Sequence, residues 1–292
     1  MLASSPVAVG GVGGSGTRVV TQILLELGFY MGHDLNVACD NLWFTFLFKR
    51  PRWFAESVAD NHQTVLKGFQ LFDKLMTGRL SLSLDDLQFI FRAAVAAEQV
   101  RLPHRQKIAW VVRRLQKMSQ ARSIDYTKYI GWGWKEPNTH LYLRYLPQYF
   151  ERPKYIHLLR HGLDMAYSKN KHQLDNWAAI FGLNSTYSAK TAPAAALKYW
   201  IKSNQNVMKL GEGLGAQFFL TLNFDELCAS PKTEIEKLIL FLELDIKQSE
   251  LDYLCTIPKI PKSTGRYKQR SLDLFDATDL AAVRELGFTI EA

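Results

Sequence analysis

One stretch constrains this chain more than any other: Pro6-Val-Ala-Val-Gly-Gly-Val-Gly-Gly-Ser-Gly-Thr-Arg18, running on into Val19-Val-Thr-Gln-Ile-Leu-Leu-Glu-Leu-Gly28. An uncharged apolar run leads into five glycines in seven residues. Apolar residues then recur at Val19, Val20, Ile23, Leu24 and Leu27, with helical spacing, up to Gly28. The pattern predicts a buried strand, a glycine loop and a helix stopped by a glycine. Glycines let several backbone N–H groups turn toward one point, and the helix behind them adds its free N–H groups and the positive end of its dipole. An anion, phosphate or sulfate, belongs there.

Two common phosphate motifs match only in part. Gly11, Gly13 and Gly16 satisfy GxGxxG, but the acidic residue that should hold a ribose about 20 positions on would be Asp34, with no obvious second strand ending at it. Gly11 to Gly16 also has the spacing of GxxxxGK[ST], yet Thr17 and Arg18 stand where the phosphate-binding Lys and the magnesium-binding hydroxyl are required. An ATPase or GTPase is therefore disfavoured.

Composition sets wider bounds. The 292 residues are 47% hydrophobic, enough for a sizeable core, and carry a formal net charge of +8 that suits a polyanionic ligand or partner. Cys39, Cys228 and Cys255 form no CxxC and no Cys–His cluster, so neither a disulfide framework nor a metal site is expected. The first strand is expected about five residues after Met1, leaving no room for a signal peptide ahead of it, and no run reaches the ~18 apolar residues of a membrane span. A cytoplasmic location without a membrane span is the expectation.

From Gly28 to Gly68 the chain is irregular and aromatic, with Tyr30, Trp43, Phe44, Phe46, Phe48, Trp53, Phe54 and Phe69 around His33, Asp34 and Asp40. Two readings stand: core, or the walls of an acceptor pocket with a carboxylate or His33 as base. Helices are expected over 84–100, with Ser83 as N-cap and Asp85 and Asp86 in the first turn, and over 104–122, with Arg105, Lys107, Arg113, Arg114, Lys117 and Arg122 around an apolar stripe. They read as an inserted helical pair whose basic face is either simply solvated or guides an acidic acceptor such as a saccharide or nucleotide conjugate. No nucleic-acid-binding module is present, and no nucleic-acid partner is expected.

The α/β pattern resumes with a strand over 129–137 that carries Lys135 and Glu136 before Pro137. A helix over 138–146 follows, then the buried strand Tyr155–Leu159, which delivers Arg160. Ligands of open parallel sheets sit beyond the carboxyl ends of the strands, so the glycine loop, Lys135 and Arg160 should converge. Helices are predicted over 175–181, 189–210, 234–244 and 275–288, with a last strand over 217–225.

These motifs, in this order, resemble the PAPS-dependent sulfotransferases across nearly the whole chain, weakly between Trp43 and Tyr129. Gly10–Arg18 is similar to their 5′-phosphosulfate loop, whose core is SGT at a helix start. Arg160-His-Gly-Leu-Asp-Met-Ala-Tyr-Ser168 is similar to their 3′-phosphate motif, an Arg ending a strand and a Ser eight residues later on the next helix. A forked guanidinium and a hydroxyl suit a dianionic phosphate. Trp134-Lys135-Glu136-Pro137 looks like their Lys-acid-Pro segment, and Ser263-Thr-Gly-Arg-Tyr-Lys268 like the segment that closes over the cofactor. The chain departs at Gly14, where many members place Lys or Arg.

The resemblance implies an α/β fold, a parallel β-sheet flanked by helices of the P-loop NTPase-like sulfotransferase type, as one domain over 1–292 with a helical insertion at 70–128. It implies sulfuryl transfer from 3′-phosphoadenosine 5′-phosphosulfate (PAPS), without a metal, to a hydroxyl or amine of a small-molecule or saccharide acceptor. Gly13, Gly14, Ser15, Gly16, Thr17, Arg18, Arg160, Ser168, Arg266 and Lys268 would bind the nucleotide. Lys135 and Arg18 would offset charge on the leaving oxygen, and Asp40, Asp34, His33 and Glu136 are the candidate bases. A P-loop small-molecule kinase using ATP and a non-catalytic nucleotide-binding protein are the alternatives.

Overall fold

The computed structural model describes residues 5–79, 81–96 and 103–291. In chain order the first half runs β1 Val7–Gly10, α1 Thr17–Glu26, β2 Phe29–Tyr30, α2 Leu42–Phe48, α3 Pro51–Glu56, α4 Gln63–Thr77, α5 Leu84–Val95, α6 His104–Ser119, β3 Gly131–Lys135 and α7 Leu146–Tyr149. The second runs β4 Lys154–Leu159, α8 Gly162–Ala166, α9 His172–Trp177, α10 Ala192–Leu214, β5 Phe219–Asn223, α11 Phe224–Ala229, α12 Pro231–Leu242, α13 Gln248–Leu254 and α14 Ala277–Glu285. The strands form a five-stranded sheet in the order β2-β3-β1-β4-β5, an α/β fold. β2 pairs in parallel with β3, and β4 with β5 in the register Tyr155–Phe219 to Leu159–Asn223.

Two compact units make up the chain. One holds the described residues up to Ala8, those of Leu24–Glu136, and Arg144–Pro153. Its core is aromatic. Phe44 stacks on Phe48 (centroids 4.5 Å apart) and on Trp134 (5.8 Å), with Phe72 edge-on to both, an arrangement the ring quadrupoles favour. Alternation along β3 is the reason: Trp132 and Trp134 are buried, while a side chain at Gly133 would lie 2.0 Å from the Val7 carbonyl. The glycines admit the neighbouring strand and the tryptophans fill the core.

Trp43, Phe44, Phe46, Phe48, Phe54 and Phe69 are all buried here, so this aromatic segment is core. The segment expected to be irregular contains β2, α2, α3 and the first turns of α4. Its start signal was present in Asn41, whose side chain accepts from the Phe44 N–H as an N-cap. Ser83 caps α5 in a capping box with Asp86. The part of the predicted helix over 97–100 lies outside the described residues.

The other unit holds Val9–Ile23, Pro137–Leu143 and the described residues from Lys154 on. Three expectations shift. The predicted helix over 138–146 is instead a 3₁₀ helix, Pro137–Tyr145, and α7, in the first unit, begins only at Leu146 with Pro147 in its first turn. The last strand, expected over 217–225, ends at Asn223, which caps the short helix α11 by accepting from the Asp225 and Glu226 N–H groups. Ser168 lies past the end of α8 instead of on it. Gly162 lets α8 close on α10, since a side chain there would lie 2.7 Å from the Trp200 ring.

Within β4 the apolar run is interrupted by His157, fully buried, with Nε2 2.8 Å from Asn204 Oδ1 and Nδ1 3.3 Å from the Tyr155 hydroxyl. His140 is likewise buried, its Nδ1 2.7 Å from the Pro137 carbonyl. Burial pushes His157 down to about 3 and His140 down to about 4, so both are neutral in the fold. Their ordinary value is 6.5. The unfolded chain therefore binds more protons between pH 6.5 and 4, and stability falls as pH drops through that window. Urea unfolding at pH 7.5 and pH 5.5, above the ordinary carboxylate range, should show a loss of roughly 3 kcal/mol in all, about 1.4 kcal/mol from each histidine. A pH-independent midpoint would mean that neither is protonated on unfolding.

Candidate anion-binding site

The site in the second unit starts at the end of β1. Gly11, Gly14 and Gly16 have φ of 155°, 101° and 93°. Gly14 and Gly16 are in the region that L side chains rarely adopt, and a side chain at Gly16 would also lie 2.1 Å from the Phe224 ring. At Gly14 that backbone conformation is a physical reason for the glycine. The Ser15 N–H donates to the Val12 carbonyl at 3.0 Å, closing the turn, and Thr17 opens α1. The Ser15 hydroxyl is buried and has no hydrogen-bond partner among the described residues. A buried orphan hydroxyl inside a glycine loop is a fitting donor to a ligand oxygen.

Two further contacts hold the loop. The Gly11 N–H donates to the Pro137 carbonyl at 3.2 Å. The Gly13 N–H donates to Gln173 Oε1 at 2.7 Å, and Gln173 Nε2 donates to Asn138 Oδ1 at 2.9 Å. Gln173 lies in the first turn of α9, five residues after Ser168. Nothing in its local sequence marked it, because its role comes from a loop 160 residues away.

Arg160 follows β4 and is 6% exposed. Its Nη1 donates to the Gly14 carbonyl at 3.2 Å and its Nη2 to the Ser263 hydroxyl at 2.8 Å, with the guanidinium carbon 5.2 Å from the centre of the Phe224 ring. Among the described residues no carboxylate lies within ion-pair distance. Burial lowers its pKa, Asp225 and Asp164 pull it back up, and Arg266 lowers it again. Those carboxylates are engaged elsewhere. Asp164 accepts from the Gly265 N–H (2.7 Å) and the Tyr267 N–H (3.2 Å), and Asp225 from the His161 N–H (2.9 Å).

The Ser263–Lys268 segment is thereby tied to α8, and Arg266 Nε donates to the Ser263 carbonyl at 3.0 Å. Lys268 instead forms an exposed ion pair with Glu291 at 2.5 Å. The Ser168 hydroxyl accepts from the Asn170 N–H at 3.2 Å. Lys171 adds a cation that the sequence reading missed. Burial, then Arg266, push it down to about 8, against the pull of Asp175. Arg18, on α1, is exposed.

The remaining candidates lie in the first unit. Lys135 is buried at the end of β3, donating to the Ala38 carbonyl at 2.6 Å and forming an ion pair with Asp40. Asp40 also accepts from Asn36 Nδ2 at 2.9 Å. Asp34 forms a buried ion pair with Arg114 at 2.7 Å. Burial raises the Asp34 pKa, and Arg114, Lys117 and Arg113 oppose the rise. Glu136 is buried and His33 exposed. Arg114, expected on a solvated face, is 3% exposed because Asp34 takes its charge into the unit.

A family model described as the sulfotransferase family matches residues 6–248, which include the glycine loop, Lys135 and Arg160. The chain belongs to the sulfotransferase family. The fold is similar to that of the sulfotransferase domain of the Synechococcus PCC 7002 olefin synthase (17% identity, TM-score 0.48, covering 100% of this chain and 98% of that one). It is also similar to a sulfotransferase domain of the curacin biosynthetic pathway (15%, 0.48, 100% and 100%) and to sulfotransferase STF9 of Mycobacterium avium (13%, 0.48, 100% and 78%). No curated protein matches the chain significantly.

The sulfotransferase loop tolerates side chains unequally. Gly16→Ala should cost ~3 kcal/mol through its φ and the Phe224 clash, read as a lower Tm. Gly13→Ala, whose side chain would meet Gln173 at 3.4 Å, should stay within about 1 kcal/mol of wild type. Gln173→Ala should leave Tm nearly unchanged while speeding hydrogen exchange at the Gly13 amide, and unchanged exchange would show that Gln173 does not hold the loop.

Proposed function

We propose that this protein transfers the sulfuryl group of PAPS to a hydroxyl or amine of a small-molecule or saccharide acceptor, as a cytoplasmic enzyme. The carrying observation is Arg160: a guanidinium 6% exposed, bonded to the glycine loop and to Ser263, with no carboxylate at contact among the described residues. A buried cation so placed is stabilised by a bound anion, and its fork suits a ribose 3′-phosphate. Ser168, Ser263, Arg266 and Lys171 would complete that subsite, with Lys268 at its margin. The loop amides of Gly14, Gly16 and Thr17, with the Ser15 and Thr17 hydroxyls, would hold the 5′-phosphosulfate, the Gly13 and Ser15 N–H groups being engaged by Gln173 and the Val12 carbonyl.

In the reaction the S–O bond to the phosphate breaks, a new S–O or S–N bond forms to the acceptor, and adenosine 3′,5′-bisphosphate leaves. Lys135 and Arg18 would offset the charge growing on the leaving oxygen. Of the four candidate bases Asp40 suits proton removal best, since in its pair with Lys135 its side chain stays 22% exposed and within reach of an acceptor, whereas Asp34 is 7% exposed against Arg114. Residues 1–292 act as one domain in this reading, with 70–128 as an insertion. An ATP-dependent kinase lacks support at Thr17 and Arg18, which stand where the Walker lysine and hydroxyl are required.

Calorimetric titration with adenosine 3′,5′-bisphosphate tests this reading, with ATP plus magnesium as control. Wild type should bind the bisphosphate, and Arg160→Ala should weaken it on the order of 100-fold, about 3 kcal/mol. Arg160→Lys, which keeps the charge and loses the fork, should fall between. Preference for ATP, or unchanged affinity in a folded Arg160→Ala, would overturn the assignment. Asp40→Asn should retain bisphosphate binding and lose about 100-fold in turnover; a chain that binds without any turnover would be a nucleotide sensor.

A further inference from the structure

α5 and α6 both pack on α2. The buried side of α5 is Asp86, Phe89 and Ala93. Its other side is apolar as well: Leu84, Leu87, Phe91 and Val95, spaced by three, four and four, are 78%, 50%, 69% and 62% exposed. α6 repeats the pattern with Ile108, Val112 and Leu115, all exposed. Single exposed leucines are ordinary; two helical stripes of large apolar side chains are not.

The charge around the stripes selects what covers them. α6 contains no acidic residue. Arg105 and Arg113 are exposed on its outer side, and Arg92 is exposed on α5. The exposed acid of α5, Asp85, is neutralised by Lys67 at 3.7 Å. The partner is therefore anionic and apolar at once. A second copy of this chain would bring arginine against arginine. A basic amphipathic helix with an apolar outer stripe instead has the make-up of an interfacial helix, which sinks that stripe to the boundary between headgroups and acyl chains while its cations meet lipid phosphates.

We propose that α5 and α6 seat this protein on an anionic lipid bilayer, with Leu84, Leu87, Phe91 and Val95 of one helix and Ile108, Val112 and Leu115 of the other entering the interface. Arg92, Arg105 and Arg113 pair with the lipid phosphates. No helix among the described residues is long and apolar enough to cross a membrane, so the association is peripheral. It is independent of the sulfuryl-transfer reading, because vesicle binding is measured without donor or acceptor.

Flotation of the full chain with vesicles of mixed phosphatidylglycerol and phosphatidylcholine, against phosphatidylcholine alone, tests the proposal. Wild type should float with the anionic vesicles, less so in high salt, and little with the neutral ones. Arg105→Glu/Arg113→Glu should lower the partition by at least about 20-fold, and Leu87→Glu/Phe91→Glu by about tenfold or more. Tm should hold in both variants, since the altered side chains are exposed. Failure of wild type to bind anionic vesicles, equal binding to neutral ones, or full binding by a folded Leu87→Glu/Phe91→Glu would each overturn it. So would a wild-type dimer in sedimentation that Leu87→Glu/Phe91→Glu converts to monomer without any vesicle binding, which would give the face to a second copy.

Discussion

A buried guanidinium with no carboxylate partner among the described residues is costly, and the second unit is built around tolerating one. Arg160 gives hydrogen bonds to the Gly14 carbonyl and the Ser263 hydroxyl and lies against the Phe224 ring, which offsets part of the lost hydration. The nearby acids are occupied by backbone amides: Asp164 secures the Gly265–Tyr267 turn and Asp225 secures His161. They lend a favourable field without forming a closed ion pair. Arg266 and Lys171 add further positive potential. The arrangement leaves positive charge uncompensated at one place, which is the condition for recognising a multiply charged anion.

The glycine loop answers a different constraint, one of space. Phe224 stacks close to Gly16, and the Tyr155 hydroxyl lies 2.4 Å from where a side chain of Gly10 would be. From that hydroxyl a buried polar chain continues to His157 and Asn204 on α10. The loop therefore rests on packed, hydrogen-bonded side chains, and Gln173 adds a latch from α9. Rigid support of this kind holds the loop in place before a ligand arrives, so less ordering entropy is lost on binding.

In the first unit, charge is handled by pairing. Lys135 is neutralised by Asp40 and Arg114 by Asp34, both on or beside the turn that precedes α2. That turn is itself held by Asn36, which accepts from the Ala38 and Asp40 N–H groups, and by Asn41, whose N–H donates to the Lys135 carbonyl at 2.7 Å. The dense aromatic segment behind it is the core that fixes these positions.

The loop, the strand ahead of Arg160 and the order of the motifs were legible in the sequence, because glycine spacing, apolar runs and an arginine after a strand are local signatures of local physics. So were α1, α5 with its cap, and the long α10. Four things were decided only in three dimensions. Arg114 turned inward because Asp34 sits opposite it, 80 positions earlier. Gln173 became a loop support because α9 places it beside Gly13. Phe44, Phe48 and Trp134 became one core because β3 and α2 meet face to face. Ser168 left its helix because five residues close α8 before reaching it. Hydrophobic period and turn chemistry act over a few residues and can be read along the chain; charge pairing and close packing act across space, between residues whose separation in sequence carries no signal.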